Sequence, residues 1–135
     1  MAAISKLSTG IRPIGLPGDY EQVESTLGET LVAGDAVRWD TNGKFTGSNA
    51  TDATEGNFVG ILLTGGVAGE PATALTHGEI AGFDVSGLAF GASVYLSDTD
   101  KTLADAAGTV STVVGKVYPG LASSPTRDKI LKVRA

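Results

Sequence analysis

The sequence repeats one pattern, and this duplication constrains the fold more than any other feature of the chain. Residues 34–62 return as residues 91–117, and Gly34 and Gly91 mark an offset of 57 positions. The shared positions are turn glycines and apolar residues of β-type segments, not the polar residues from which active sites are built. Such a repeat predicts a scaffold of duplicated hairpins, which presents surfaces more often than it performs chemistry.

Each copy has the pattern of a strand, a turn, a short strand, a polar loop and a further strand. Asn42 and Gly43 are a strong turn signal because both residue types accept a positive φ at low cost. The later strand begins at a Val-Gly pair, which includes Gly60 in the first copy and Gly115 in the second. Alternating polarity in the first strand of each copy predicts four inward-pointing residues, and these are Val37, Trp39, Val94 and Leu96.

The number of strand signals defines the fold class. A turn predicted at His77 and Gly78 ends one strand, and a further strand is predicted around Phe83 and Val85, which brings the total to roughly eight to ten short strands. We therefore predict an all-β fold, a small β-barrel or sandwich built from two similar hairpin repeats and preceded by an extended N-terminal arm.

The predicted organisation is an extended N-terminal arm and one β-barrel domain. The arm spans 1–27 and the domain spans 28–135, with repeat halves at about 31–76 and 88–133. Two prolines and two glycines within 11–18 exclude a helix there. Because aliphatic side chains are unfavourable on a free tail, the arm is expected to pack either on its own domain or on a neighbouring subunit.

Charge is unevenly distributed along the chain. The net charge is −5, which argues against nucleic acid as a partner, because affinity for phosphate backbones depends on clustered Lys and Arg. Residues 46–115 contain eight acids and one base, whereas four of the ten bases lie in the last nine residues. This asymmetry predicts one acidic side and one basic edge. Either these regions orient the molecule on a charged surface, or they are strand faces in contact with solvent only.

Candidate catalytic and metal sites are weak. The chain has no cysteine, and its only histidine, His77, has no Gly-x-Ser-x-Gly motif to work with. Asp98 and Asp100 have the spacing of the start of a calcium loop, but Lys101 follows them and no glutamate closes the loop, so a hairpin turn is favoured. We predict no enzymatic activity, no metal and no cofactor.

The chain also lacks sequence signals for crossing a membrane. No stretch approaches the roughly 18 apolar residues that a membrane-spanning helix requires, and the N-terminal residues lack the apolar run of a secretion signal. The expectation is a protein made in the cytoplasm and used without membrane insertion.

The repeated elements resemble the capsid decoration, or cement, proteins of tailed bacteriophages. The resemblance rests on the Gly-Asp-x-Val, Val-Gly and Gly-x-x-Val-Tyr-Leu elements at 34–37, 58–64 and 91–97, with 68–70 and 113–117, and covers about 31–133. It implies a non-enzymatic protein that binds the major capsid protein on the outside of the assembled head. It further implies a homotrimer that bridges neighbouring capsomers and stabilises the shell against internal DNA pressure.

Contact residues can be assigned on this resemblance. The arm residues expected to contact the shell are Ile4, Ile11, Arg12, Ile14 and Leu16. Arg38 and Tyr95, on outward strand positions, are expected to contact neighbouring subunits. The alternatives are another virion structural protein such as a head fibre base or tail component, a small ligand-binding β-barrel, and an enzyme that uses the acidic loops.

Overall fold

The computed structural model describes residues 3–6, 10–14, 20–119 and 129–134. These residues form an all-β fold in which an antiparallel sheet curls into a half-barrel, so the predicted fold class is confirmed. The described strands are β1 (Arg12–Pro13), β2 (Glu21–Thr26), β3 (Ala36–Trp39), β4 (Phe45–Gly47), β5 (Gly60–Leu62), β6 (Pro71–Ala81), β7 (Ser93–Leu96), β8 (Leu103–Ala104), β9 (Val113–Pro119) and β10 (Lys129–Arg134).

The duplication is visible in the sheet order. The main path is β4-β3-β5-β6-β10-β9-β7-β8, so both copies have the same order when followed outward from the central β6 and β10 strands. The register is also shared, because Val37 pairs with Gly60 in one copy and Val94 pairs with Gly115 in the other. The predicted pair of hairpin repeats is therefore two halves of one sheet.

Strand β6 organises the sheet because both of its edges are occupied. Leu75 pairs with both Gln22 and Ile61, and Ile80 pairs with both Pro13 and Leu131. One edge of β6 therefore carries β1 and β2, and the other edge is shared by β5 and β10. The N-terminal segment, predicted as an arm, contributes two strands to the sheet where it is described.

The sequence prediction differs from the structure at the centre of β6. His77 and Gly78, where a turn was expected, lie inside one strand of 11 residues. The register between β2 and β6 shifts between Glu21 and Gln22, which leaves Thr76 as an extra residue on β6. A β-bulge of this kind accommodates turn-like residues without ending the strand. Phe83 forms only an isolated bridge with Lys6, so the strand expected around it is wrong.

Two buried clusters hold the fold together. The larger cluster includes Leu75, Ile80, Leu96 and Leu131, and the smaller one surrounds Phe45. Because the bulge reverses the alternation of β6, residues on both sides of the strand are buried. The smaller cluster consists of Leu27, Leu31, Val37, Phe45, Leu62, Ala72 and Ala74.

A short closure encloses the smaller cluster. Leu27 forms a parallel bridge with Phe45, and the Gly28 amide donates to the Phe45 carbonyl oxygen at 2.8 Å. The chain following β2 thereby covers the outer edge of β4, which removes an exposed edge that could pair with another chain. The first copy thereby forms a small barrel around its own core, and in the second copy Ile4 likewise covers the outer edge of β8, where its amide donates to the Leu103 carbonyl oxygen at 2.9 Å.

Candidate interaction surface

The outer face of strands β6, β10 and β9 carries a row of charged side chains. Lys116 pairs directly with Lys132, and Lys132 pairs directly with Glu79, so these three side chains project from the same side of the sheet. Leu131 and Val133 alternate with Lys132 and point into the larger cluster. The sheet thus separates a buried apolar face from a charged one, which we call the outer face.

Positive charge predominates on this outer face. Its cations are Arg12, Lys116, Lys132 and Arg134, and its acids are Glu21 and Glu79. The ion pairs found within the described parts of the chain involve none of these four cations. Like charges placed directly opposite each other in a sheet are destabilising, and Lys116 and Lys132 occupy such a pair. The arrangement suits contact with an anionic surface.

Apolar and aromatic side chains accompany these charges. Tyr118 pairs with Ile130 on the same face, and both are partly buried. The Lys132 Nζ atom lies 4.8 Å from the centroid of the Tyr118 ring, within range of a cation–π interaction. The outer face thus combines an aromatic ring, an aliphatic residue and several cations; aromatic residues and Arg are enriched at protein interfaces, whereas Lys is depleted there.

The residues predicted to contact a shell fall into two groups. Ile4 and Ile11 are only 8% and 9% exposed and belong to the larger cluster, so they pack on their own domain. Arg12 is exposed, and Ile14 is partly buried, with its amide donating to the Glu79 carbonyl oxygen at 2.9 Å. The register of β1 therefore places Arg12 and Ile14 on the outer face. Leu16 lies outside the described residues.

The two residues predicted to contact neighbouring subunits are not brought together. Arg38 engages Glu55 within the chain, through Nε to Oε2 at 3.3 Å and Nη2 to Oε1 at 3.2 Å. Tyr95 lies on β7, partly buried, and faces the same side as Ser93, which pairs with Lys116. Tyr95 thus extends the outer face, whereas Arg38 belongs to the other half of the sheet.

The rejected sites have structural roles. His77 Nδ1 lies 3.4 Å from Glu21 Oε2, without the alignment of a hydrogen bond. Asp98 accepts hydrogen bonds from the amide and hydroxyl of Thr109, and Asp100 accepts one from Asn49, as turn residues do. Within the described ranges, no group of three His, Asp or Glu residues is arranged to hold a metal ion.

Lys116 and Tyr118 were missed as surface residues, and Lys132 was included only in the predicted basic C-terminal edge. Their alternation with buried Val117 and Leu131 is readable in the sequence, and it indicates one polar face on each strand. What it does not provide is the pairing of β9 with β10, which sets the two lysines opposite each other.

Comparison with protein-family models, curated proteins and solved structures finds no match to this chain. The residues that the structure describes contain no helix long and apolar enough to cross a membrane.

Proposed function

We propose that this chain is a non-enzymatic capsid decoration protein of a tailed bacteriophage. It binds the major capsid protein on the outer surface of the assembled head and stabilises the shell, as a homotrimer that bridges neighbouring capsomers. The proposal combines the resemblance of the repeated elements with the outer face, which offers a surface for an anionic partner. Assembly takes place in the host cytoplasm, and the protein ends on the outside of the virion.

The directly opposed pair of Lys116 and Lys132 carries this proposal. Side chains with the same charge repel each other across a strand pair, so we expect this pair to weaken the isolated fold, with Glu79 on the other side of Lys132 offsetting part of the effect. An acidic protein surface docked on the outer face would relieve this repulsion and would gain charge complementarity, which chiefly improves specificity and the rate of association. The chain's net charge of −5 favours a protein over nucleic acid as the partner.

We revise the proposed contact residues in view of their burial. Ile4 and Ile11 are buried in the core, so shell contact is assigned to Arg12 and Ile14 together with Lys116 and Lys132. The N-terminal segment contributes through the exposed side of β1 and not through a detached apolar arm.

Stabilisation follows from binding linkage. A protein that binds only the expanded shell stabilises that shell by its binding free energy. Many copies, each held to two or more capsomers, multiply the effect through multivalency. No chemical step is needed, in agreement with a duplicated scaffold whose shared residues serve folding.

The experiment is addition of purified protein to bare, expanded capsids of the phage that encodes it. We expect saturable co-sedimentation with the shells and a higher temperature of shell disruption, and native mass spectrometry of the free protein should give a trimer. Serum albumin, another acidic protein, controls for nonspecific adsorption. Absence of binding together with an unchanged disruption temperature would refute the proposal.

The alternative of a ligand-binding barrel is less well supported. The interior of the smaller barrel is occupied by Leu27, Phe45 and Leu62, which are fully buried and packed together. A barrel that binds a ligand inside would need this space. The described residues of this barrel fill that space with their own side chains.

A further inference from the structure

A surface groove lies where the β3–β4 hairpin meets the loop that precedes β5. Its volume is about 390 Å³, within the range of small-molecule sites, which is roughly 300–1,000 Å³. The lining residues are Arg38, Trp39, Asp40, Thr41, Ala53, Thr54 and Asn57. The groove is distinct from the outer face formed by β6, β9 and β10.

The second copy of the repeat shows which type of residue the fold needs at the position of Trp39, in the centre of this groove. Trp39 corresponds to Leu96, 57 positions later, and Leu96 is fully buried. Trp39 is instead 36% exposed. Since an aliphatic residue satisfies the fold at this position, the indole ring and its exposure are not explained by packing alone. The neighbours Arg38 and Asp40 are likewise Tyr95 and Ser97 in the second copy.

Trp39 is held as a rigid platform. Its ring stacks on that of Phe45, with the centroids 4.8 Å apart and an interplanar angle of 15°. Phe45 is fully buried, so it covers one face of the indole from below. The ring lines the groove with the part that remains exposed. An aromatic ring fixed in this way contributes contact area at low entropic cost.

The polar groups around the ring are also held in place. Arg38 is fixed by Glu55 and donates through Nη1 to the Trp39 carbonyl oxygen at 3.2 Å. Asp40 Oδ1 accepts hydrogen bonds from the amides of Asn42 and Lys44, at 2.8 and 3.0 Å. These hydrogen bonds keep the pKa of Asp40 below its ordinary value, and the bond from the Lys44 amide has the largest effect. Arg38 and Glu55 neutralise each other's charge. Asp40 therefore remains at the groove as a hydrogen-bond acceptor that is held in a fixed position.

We infer that this groove binds the ring of a neutral pyranose sugar. The C–H face of a pyranose is apolar and flat enough to pack on an indole, while its hydroxyls pair with carboxylate, amide and hydroxyl groups at the rim. Asp40, Thr41 and Asn57 supply such groups. An acidic sugar is disfavoured because Asp40 lines the groove, while the charge of Arg38 is already paired with Glu55. This inference does not depend on attachment to a capsid.

Intrinsic fluorescence provides a direct test, since Trp39 is the only tryptophan. The probes are the methyl glycosides of glucose, mannose, galactose and N-acetylglucosamine. We expect at least one of them to produce a saturable change in emission with a dissociation constant of about millimolar order, typical of one ring on an open site. No saturable change with any of the four would overturn the inference.

Variants separate sugar binding from a structural role. Trp39→Leu installs the residue of the second copy, so the thermal midpoint should change little, while binding followed by amide chemical shifts should fall at least tenfold. Asn57→Ala should also weaken binding. Phe90→Leu removes another exposed aromatic ring and should leave binding unchanged. Equal binding by Trp39→Leu, or an emission shift that depends on protein concentration and not on sugar, would show that the groove does not hold a sugar.

Discussion

Gly60 and Gly115 show how single residues fix the spacing of adjacent strands. A Cβ atom at Gly60 would lie 2.4 Å from the Leu75 carbonyl oxygen, and one at Gly115 would lie 2.2 Å from that of Lys132. Leu75 and Lys132 are themselves equivalent positions of the repeat, 57 residues apart. The Val-Gly pairs are therefore kept in both copies because the neighbouring backbone comes too close for any side chain.

Substitution of Gly115 by Ala should be strongly destabilising. The added methyl group forces the backbones of β9 and β10 apart, at a cost of about 2–4 kcal/mol. Gly87→Ala is the matched control, because nothing lies within 4 Å of a Cβ atom there. Denaturant midpoints measure both variants. Equal stability of the two would contradict the close approach.

Glu29 stabilises the fold in a pH-dependent way. Its Oε2 accepts hydrogen bonds from the Thr46 hydroxyl and the Gly47 amide, and Lys101 Nζ lies 3.4 Å from Oε1. Partial burial acts to raise the pKa of Glu29, but the hydrogen bonds and Lys101 outweigh it, so that the pKa is lowered.

The sign of the effect follows from this lowered pKa. The ionised carboxylate stabilises the fold above its ordinary pKa of 4.5, and the contribution is lost as the pH falls through the lower folded value. Glu29→Gln should therefore lower the thermal midpoint near neutral pH, by an amount that shrinks in acid. Glu24→Gln, on exposed β2, is the control. A gap that does not vary with pH would exclude the linkage.

Among the elements, β6 departs most from sequence expectation. The signal at His77 and Gly78 is typical of a turn, and only the partners on both edges reveal that the strand continues through it. Strands β3, β5, β7 and β9 were predictable because their alternation and Val-Gly starts are local features. The bulge at Thr76 was not predictable, since it depends on pairing with Gln22 of β2, which lies 54 residues earlier in the sequence.

The N-terminal segment combines core and surface functions on alternate residues. Ile11 is buried and lies against Gly34 and Gly82, while Arg12 projects outward. The apolar composition of this segment predicted that its aliphatic side chains must be buried. It could not show which surface buries them. The covering surface proves to be the chain's own core for Ile4 and Ile11.

Substitutions in this segment should separate stability from binding. Ile11→Ala opens a cavity in the larger cluster and should cost about 2–4 kcal/mol. Ile14→Ala, at a partly buried position on the outer face, should cost less in stability but weaken shell binding. Chemical denaturation and capsid co-sedimentation measure the two effects. If Ile11→Ala leaves the denaturation midpoint unchanged, the assignment of Ile11 to the core and of Ile14 to the binding surface is wrong.

Across the whole molecule, the duplication builds the scaffold, and the proposed binding residues are not shared between its copies. Paired positions such as Val37 and Val94 are fully buried in both copies. Some candidate site residues differ in type between the two copies. Others lie in strands that are exposed to solvent in one copy only. The duplicated scaffold was predictable from the sequence, but the outer face was not, because it requires the distant strands β6 and β10 to pair.

Lys116→Glu tests the proposed role of the outer face in shell binding, because it should move stability and binding in opposite directions. The change converts the like-charged pair with Lys132 into an oppositely charged one, which should stabilise the isolated fold by roughly 0.2–1 kcal/mol. The same change removes a cation from the outer face, so affinity for bare capsids should fall by about tenfold.

Lys44→Glu makes the same change in net charge on the exposed β3–β4 turn and serves as the control. The decisive measurement is the affinity of the three proteins for bare expanded capsids. We expect only the Lys116→Glu variant to bind the capsids weakly, although it should fold at least as stably as the unmodified chain. Equal affinity of that variant and the unmodified chain, or an equal loss with Lys44→Glu, would contradict the role of the outer face.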